Sequence, residues 1–439
     1  NLSETIPTVG RDKRKDTLMS RYKKLNDSAR VNESVEATDF VGDLDVIARE
    51  GARRLLASVL EAEVTEFLGR QRYERAETRG GYRNGYGKER RVTLGTGTVA
   101  VRAPRVRQST EPFSSEVLPA WQRRSKVVQA LIPELYVQGL ATGDFEPALR
   151  GLLGETASLS PSTVVRLKAQ WESEYEAWRK RSLGDHEYVY VWCDGVYPKA
   201  GLQGDKTAFL VVLGVNENGE KEPLAIVEGY RESTESWAEV LRDLKARGLS
   251  DPKLFCGDGA LGLWGAVDQV YPKADHQRCW CHKMRNVLTH FPKRRHEDVK
   301  HLLHQMYDAD TRGQAQTLMV QFADRYNREY PRAVECLLKD QDALLTYFDY
   351  PQEHWVSLKT TNPIESIFAT VKLRTNAARR IRSPRSALYL VFQLILRTQK
   401  RWRRLNAPHL VQKVLEGITF KDGIEIRKEK NNQTERHAA

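Results

Sequence analysis

The amino-acid sequence predicts an α/β protein: a mixed core that carries the chemistry, basic modules ahead of it, and a helical block set inside it. Three observations lead there. Residues 187–280 alternate β-type runs with an amphipathic helical stripe, residues 291–355 keep only helical periodicity, and the residues before 187 combine short helices with a glycine-joined hairpin. A chain of 439 residues is long enough for about two to four domains. Its 40 % apolar and 9 % aromatic content supports buried cores, so the charge must lie on folded surfaces.

That charge is strongly basic. A formal +12 and a pI near 9.3 favour a polyanionic partner, because a basic surface neutralises phosphates and gains free energy from released counterions. Composition by itself leaves DNA, RNA and acidic lipid open. No run of about 18 apolar residues is available to span a bilayer and the N-terminus lacks the apolar core of a secretory signal, so a soluble intracellular protein is expected. Five cysteines, Cys193, Cys256, Cys279, Cys281 and Cys336, are few and scattered, which suits a reducing compartment rather than a disulfide framework. The sequence begins at Asn1, so a trimmed or processed start is expected.

Residues 1–44 are polar with a basic cluster that includes Arg11, Lys13, Arg14 and Lys23, and read either as a flexible basic arm or as a solvated tail. A module over 45–127 opens on a helical stripe, Val46, Ala52, Leu56, Leu60, Val64 and Leu68, that ends near Gly69. Arg79–Gly87 then interleaves glycine, tyrosine and arginine, and Arg91–Leu94 and Thr98–Arg102 alternate around Gly95-Thr96-Gly97 as a β-hairpin should. Arg83, Arg90 and Arg91 are candidates here for phosphate contact, against the alternative of a merely solvated hairpin.

Residues 128–183 predict short helices, with breaks at Gly139 and Gly154 and a helix opened by Ser160 as N-cap and Pro161 as first helical residue. Arg166 and Lys168 on that last helix fit a helix-turn-helix, although many all-helical domains share the pattern. Over 184–290, Tyr188–Cys193, Ala208–Val215 and Pro223–Val227 read as strands, Ser233–Arg247 as a helix and Lys253–Cys256 as a further strand. This order resembles the ribonuclease-H-like fold. Residues 291–355 form an expected all-helical insertion, 356–410 the last part of the core, and 411–439 a C-terminal tail. Between Lys372 and Arg404 there are eleven Lys or Arg and no Asp or Glu, and Lys372, Arg374, Arg379, Arg380, Arg382 and Arg385 are candidates for phosphate contact there.

Asp194 follows the run Tyr190-Val191-Trp192-Cys193, and Asp258 follows Leu254-Phe255-Cys256-Gly257. An acid just past a buried strand, beside glycine, sits at a sheet edge where a ligand can approach. Two such carboxylates on neighbouring strands repel unless a proton or a cation neutralises them, and hard oxygen ligands favour Mg²⁺ or Mn²⁺. The third candidate is Glu365 in Thr361-Asn362-Pro363-Ile364-Glu365-Ser366. It has a structural alternative, because Asn362 as N-cap, Pro363 as first helical residue and Glu365 as third would form a capping box. A lone aspartate can likewise be a turn residue.

Taken together, Asp194-Gly195, Gly257-Asp258-Gly259, Cys279-x-x-His282-Lys283-x-Arg285-Asn286 and Thr361-Asn362-Pro363-Ile364-Glu365-Ser366 resemble the Mutator-type transposases of bacterial insertion sequences over roughly residues 45–405. The resemblance implies a ribonuclease-H-like catalytic core with an all-helical insertion, preceded by N-terminal helical, β-hairpin and helix-turn-helix DNA-binding modules. It implies that Asp194, Asp258 and Glu365 are both catalytic and metal-binding, with two Mg²⁺ (or Mn²⁺) ions per site. Terminal inverted repeats and target DNA are the implied partners. It further implies a homodimer pairing two element ends, a copying route for the donor, and a bacterial cytoplasmic, nucleoid-associated location.

Cys279, His282, Lys283 and Arg285 are expected to support the site, with Cys279 packed on the sheet and the others near DNA or the acids. Cys281 stands where an apolar residue is expected. Zinc is the alternative, but His276, Cys279, Cys281 and His282 form one crowded group without a second half to complete four ligands. Trp264 and Trp355 are candidates for stacking on a base at a deformed DNA end, or for core packing. Two rival functions remain open in the sequence: a related nuclease without strand joining, and a DNA-binding regulator with inert acids.

Overall fold

The computed structural model describes residues 44–74, 80–140, 144–154, 157, 159, 161–197, 208–229, 233–377 and 383–426. The arm before Leu44, the Ser160 cap, Arg379, Arg380, Arg382 and the tail from 427 onward lie outside these residues. The chain divides into two compact units, residues 1–125 and 126–439.

In the first unit, α1 (Leu44–Leu68) buries Leu60 and Val64. Four strands follow: β1 (Tyr82–Tyr86), β2 (Arg90–Leu94), β3 (Gly97–Val101) and β4 (Pro104–Arg107). The predicted hairpin is β2–β3, paired antiparallel from Arg90↔Val101 to Leu94↔Gly97. Its alternation sends Val92, Val99 and Val101 onto Leu60 and Leu118, which makes a small core of its own. The glycine-rich β1 also pairs, antiparallel with β4. Sequence periodicity missed that strand because Gly85 adopts φ +62 and the register shifts between Arg83 and Tyr86, so no alternation survives.

The second unit begins with α2 (Lys126–Val137), α3 (Phe145–Leu153) and α4 (Pro161–Arg179). Tyr136, Phe145, Leu149, Val164, Leu167 and Trp171 are buried among these helices as the periodicity requires. α4 runs well past the short helix expected, and near its C-terminal end Tyr175 is buried and donates its hydroxyl to the Ile226 carbonyl at 2.8 Å. The three helices therefore share one core with the sheet beyond them.

That sheet has five strands, β5 (Tyr188–Val196), β6 (Ala208–Asn216), β7 (Lys221–Gly229), β8 (Leu254–Gly257) and β9 (Asp275–Arg278), in the order β7-β6-β5-β8-β9. The first three are an antiparallel meander; β8 and β9 run parallel to β5. Side-chain alternation divides the core. Val191, Cys193, Leu210 and Val212 face α5 (Thr234–Ala246) and α6 (Leu261–Val270), while Tyr190, Trp192, Phe209 and Val211 share the larger core with the other helices. Ser233 caps α5 by accepting the Ser236 N–H. β9 escaped the sequence reading because Asp275-His276-Gln277-Arg278 has no apolar run. Gln277 is buried all the same, donating to the Leu344 carbonyl and accepting the Tyr347 N–H.

After α7 (Trp280–Leu288) come α8 (His296–Tyr307), α9 (Arg312–Tyr326), α10 (Pro331–Leu338) and α11 (Gln341–Leu345), which form the helical block. α12 (Trp355–Leu358) leads to α13 (Asn362–Ala377) and α14 (Pro384–Gln399). The α14 segment is basic at its ends only: Ala387–Ile395 is buried. Within the stretch expected as a tail, α15 (His409–Leu415) extends beyond residue 411 and β10 (Phe420–Lys421) pairs with β11 (Ile424–Glu425). Gly423 ties that small hairpin to the Phe348 carbonyl through its N–H.

His354 links these helices to the central strand. Tyr190 Oη lies 2.8 Å from His354 Nδ1 and the Ala407 carbonyl 3.3 Å from Nε2, so the neutral ring with its proton on Nε2 satisfies both. Burial holds its pKa below the ordinary imidazole value. A depressed histidine pKa means that the unfolded chain binds the extra proton first. Stability from this site is therefore full above the ordinary imidazole pKa and is lost as pH falls below it. Urea unfolding between about pH 7.5 and 5.5, about one unit to either side of the ordinary value, should show falling stability on acidification, with a shallower fall in His354→Gln; equal slopes would remove His354 as the cause.

Candidate active site

The parallel pair β5–β8 aligns Tyr190 with Leu254, Val191 with Phe255 and Trp192 with Cys256. That pairing ends two residues short of Asp194 and Asp258, so the two acids follow the last paired residues of adjoining strands. The two are not equivalent. β8 stops at Gly257, whereas β5 continues to Val196, so Asp194 lies inside a strand, paired with Val211, rather than at its end. Asp194 shares its parity with Tyr190 and Trp192 and so faces the larger core, on the side where α13 packs against β5.

Asp258 occupies the turn after β8, where its Oδ1 accepts the Ala260 N–H at 2.9 Å. Gly259 follows at φ +85, and a Cβ there would lie 0.9 Å from Arg278 Nη1. The turn thus rests on the guanidinium of Arg278, a residue that the sequence reading passed over. Arg278 pairs with Asp340 at 3.1 Å, and the buried Lys283 ammonium pairs with the same carboxylate and donates to the Cys336 carbonyl at 2.6 Å. Lys283 is consequently a strut between α7 and the helical block, not a group facing DNA or the acids; its neighbour Arg285 is exposed.

Glu365 stands in the first turns of α13. The helix starts at Asn362, one residue earlier than a capping box with Asn362 as N-cap requires. The Asn362 N–H is taken by Thr360 Oγ1 at 3.3 Å, and Glu365 Oε1 instead accepts the Thr361 hydroxyl at 2.7 Å. The same oxygen lies 3.5 Å from His282 Nδ1. The capping-box alternative therefore gives way to a carboxylate aimed at α7.

Cys279 is the hinge of this arrangement. Its N–H donates to the Gly257 carbonyl at 2.8 Å, immediately before Asp258; its Sγ accepts the Thr361 N–H at 3.3 Å and shares with Glu365 the one hydroxyl proton of Thr361, whose Oγ1 lies 3.2 Å away. Hydrogen bonding from Cys281 above all, with His282 and Thr361 adding to it against burial, holds the Cys279 thiol well below its ordinary pKa. The contact with Cys279, supported by the charges of Glu365 and Asp194, holds His282 above the ordinary imidazole value. His282 thus feels one acid from α13 and one from β5. Thr361, the positioning partner that was missed, had one signal: a hydroxyl four residues ahead of a first-turn glutamate.

The remaining candidates separate by exposure. Arg91, Arg166, Lys372 and Arg385 are exposed, Arg374 and Lys168 half-buried. Lys168 lies 5.9 Å from the Tyr136 ring centre, and Arg385 approaches Glu172 at 3.9 Å. Arg90 is spent on the carbonyls of Leu118, Pro119 and Gln122, and Arg83 on Thr65 and Glu61, so both hold the first unit together. Trp355 is buried against Tyr347 and Phe348, with its indole N–H on the Tyr350 carbonyl, which leaves no ring face for a base. Trp264 is half-buried beside the Asp258 turn, with His276 stacked on it at 4.6 Å.

A family described as "Transposase, Mutator family" matches residues 21–405. The chain is 46 % identical over 293 residues to the transposase for insertion sequence element IS6120 of Mycolicibacterium smegmatis, which covers 67 % of this chain and 91 % of that one. It is 31 % identical over 360 residues to the transposase for ISRM5 of Rhizobium meliloti, covering 82 % and 89 %. With the transposase for IS256 in transposon Tn4001 of Staphylococcus aureus it shares 27 % identity over 364 residues, covering 82 % and 91 %.

Asp340 neutralises two cations, and removing it strands a buried ammonium. Asp340→Ala should cost about 3 kcal/mol in urea unfolding, whereas Asp340→Asn, which keeps the hydrogen-bonding shape, should cost less. A loss below about 1 kcal/mol for the alanine variant, the range of an exposed pair, would show that the two cations find solvent instead.

Proposed function

Because the chain belongs to the Mutator family of transposases, we propose that it cuts the ends of an insertion sequence and joins them to DNA at a site built from Asp194, Asp258 and Glu365. The observation that carries this reading is the approach of Glu365 to His282 at 3.5 Å on the face of the sheet that Asp194 shares with Trp192, with Asp258 in the turn that follows the adjoining β8. The strand order β7-β6-β5-β8-β9, three antiparallel and two parallel, supports a ribonuclease-H-like core interrupted by the helical block.

The donor set suits hard cations: three carboxylates, one within β5 and one in the turn after the adjoining β8, where like charges brought close need neutralising. Two Mg²⁺ or Mn²⁺ ions held there would activate the attacking oxygen and stabilise the leaving oxygen of an in-line phosphoryl displacement. The protein's own part is placement. The Thr361 hydroxyl and His282 both engage Oε1 of Glu365, which fixes its orientation. The Arg278 guanidinium beneath Gly259 fixes the turn that carries Asp258. In the first step water attacks a phosphodiester and releases a 3′-hydroxyl; in the second that hydroxyl attacks a phosphodiester of target DNA and displaces the target strand's own 3′-hydroxyl. Both displacements use one site, so no covalent protein–DNA bond is needed.

Arg285, Lys372 and Arg385 offer exposed cations for the phosphates on the second unit, and Arg91 does so on the first. Terminal inverted repeats and target DNA are the partners in this reading, with two copies of the chain pairing two ends. Among the described residues no helix is long and apolar enough to cross a membrane.

Labelled element ends, a plasmid target and Mg²⁺ test the proposal. The intact chain should give joined products, and Asp194→Asn, Asp258→Asn and Glu365→Gln should each lower joining by at least about a hundredfold, as losing a metal-held carboxylate implies, while still binding the ends. Cleavage without joining would indicate a nuclease. Sequence-specific binding with neither product, in the intact chain, would indicate a regulator.

A further inference from the structure

The corner of the site around Cys279 is chemically unlike the carboxylates beside it. Cys279 Sγ, a ring nitrogen of His282 and a carboxylate oxygen of Glu365 all lie within 4.8 Å of one another. In a tetrahedral zinc site with bonds of about 2.0–2.3 Å, ligand atoms sit roughly 3.3–3.8 Å apart, and His282 Nδ1 and Glu365 Oε1 are already at 3.5 Å. The Cys-x-x-His pair lacks a second half in the sequence; the fold supplies the third ligand from α13.

We propose that Cys279, His282 and Glu365 form a binding site for a soft divalent cation of the Zn²⁺ class, with the fourth position open to water. Hydrogen bonds from Thr361 mark the centre of that site. Its Oγ1 lies 3.2 Å from Sγ, 3.4 Å from Nδ1 and 2.7 Å from Oε1, so its hydroxyl occupies the place among the three ligand atoms that a cation would take. The Thr361 N–H on Sγ is the kind of outer contact that steadies a metal-bound thiolate. On binding, the ion takes up a sulfur lone pair, the one proton that Cys279 and His282 hold between them leaves to solvent, the imidazole binds through the freed Nδ1, and the Thr361 hydroxyl turns away from Oε1. No oxidant or reductant is involved.

The consequence for activity rests on the acidic-site reading above. Glu365 cannot serve the soft ion and the hard pair at once, so Zn²⁺ withdraws a ligand from the phosphoryl-transfer site and acts as an inhibitor that competes with Mg²⁺.

The direct test needs neither DNA nor turnover. Co²⁺ titrated into the full chain under reducing, chelator-free conditions should give a thiolate-to-metal charge-transfer band and tetrahedral visible bands at one equivalent, both bleached by Zn²⁺. Cys279→Ala should abolish the charge-transfer band. His282→Ala and Glu365→Gln should weaken Co²⁺ binding by about 10- to 100-fold, and as half-exposed positions they keep the test open should Cys279→Ala fail to fold. Asp194→Asn and Cys281→Ser should retain the band. No charge-transfer band in the intact chain, a band that survives Cys279→Ala, or one that Cys281→Ser removes would each overturn the site. Should joining fail while the cobalt spectrum appears as expected, only the transposition reading and the competition drawn from it fall.

Discussion

Everything in the candidate site hangs from the backbone and sulfur of Cys279. One side of the residue is bound to the end of β8 through the Gly257 carbonyl, the other to the start of α13 through Thr361. A single small, buried side chain thereby fixes the distance between the strand that leads into the Asp258 turn and the helix that carries Glu365. The neighbouring Trp280 N–H adds a second tie, to the Lys359 carbonyl. Serine at 279 would be shorter and a weaker fit to two donors, and a larger residue would push α13 from the sheet. The sulfur is thus a spacer first, whatever else it binds.

The helical block is the second support. It enters the site through Asp340, which meets Arg278 from β9 and Lys283 from α7. An ion pair of this burial adds little net stability, because the desolvation of its charges offsets much of their attraction, but it specifies one arrangement. Here the arrangement fixed is the height of the Asp258 turn, since Gly259 lies directly on the Arg278 guanidinium. The buried Gln277 repeats the theme in neutral form, reading the backbone of Leu344 and Tyr347.

Much of this was legible in the residues. Tyr188–Cys193 and Ala208–Val215 are continuous apolar runs of strand length, the Trp237/Val240/Leu241/Leu244 stripe has the 3.6 period, and they appear as two strands and a helix. What was not legible depends on contacts between distant segments. β9 is polar because its partners are backbone groups of another segment, and no local pattern announces that. Glu365 reads locally as a capping residue; its carboxylate takes the Thr361 hydroxyl instead of a backbone N–H and lies against His282 of α7, a contact between distant segments. Lys283 and Trp355 look like ligand-facing groups by composition, yet a carboxylate and an aromatic cage take them inside. Arg83 and Arg90 show the same for charge: arginine in a basic stretch can be committed to carbonyls and hydroxyls of its own fold.

The helical block also separates the three acids in time. A ribosome delivers Asp194 and Asp258 well before α13, with the whole block in between, and the last support, Thr361, arrives only four residues ahead of Glu365. Closing so long a loop adds little entropy cost beyond that of a short one, so the completed chain loses little by the delay. The unfinished chain differs sharply from it. Any product that ends before Thr361 carries two carboxylates at a sheet, a Cys279 sulfur without the Thr361 donors, and no third acid. Synthesis order alone therefore acts as a timer that withholds the complete site until most of the protein has been made.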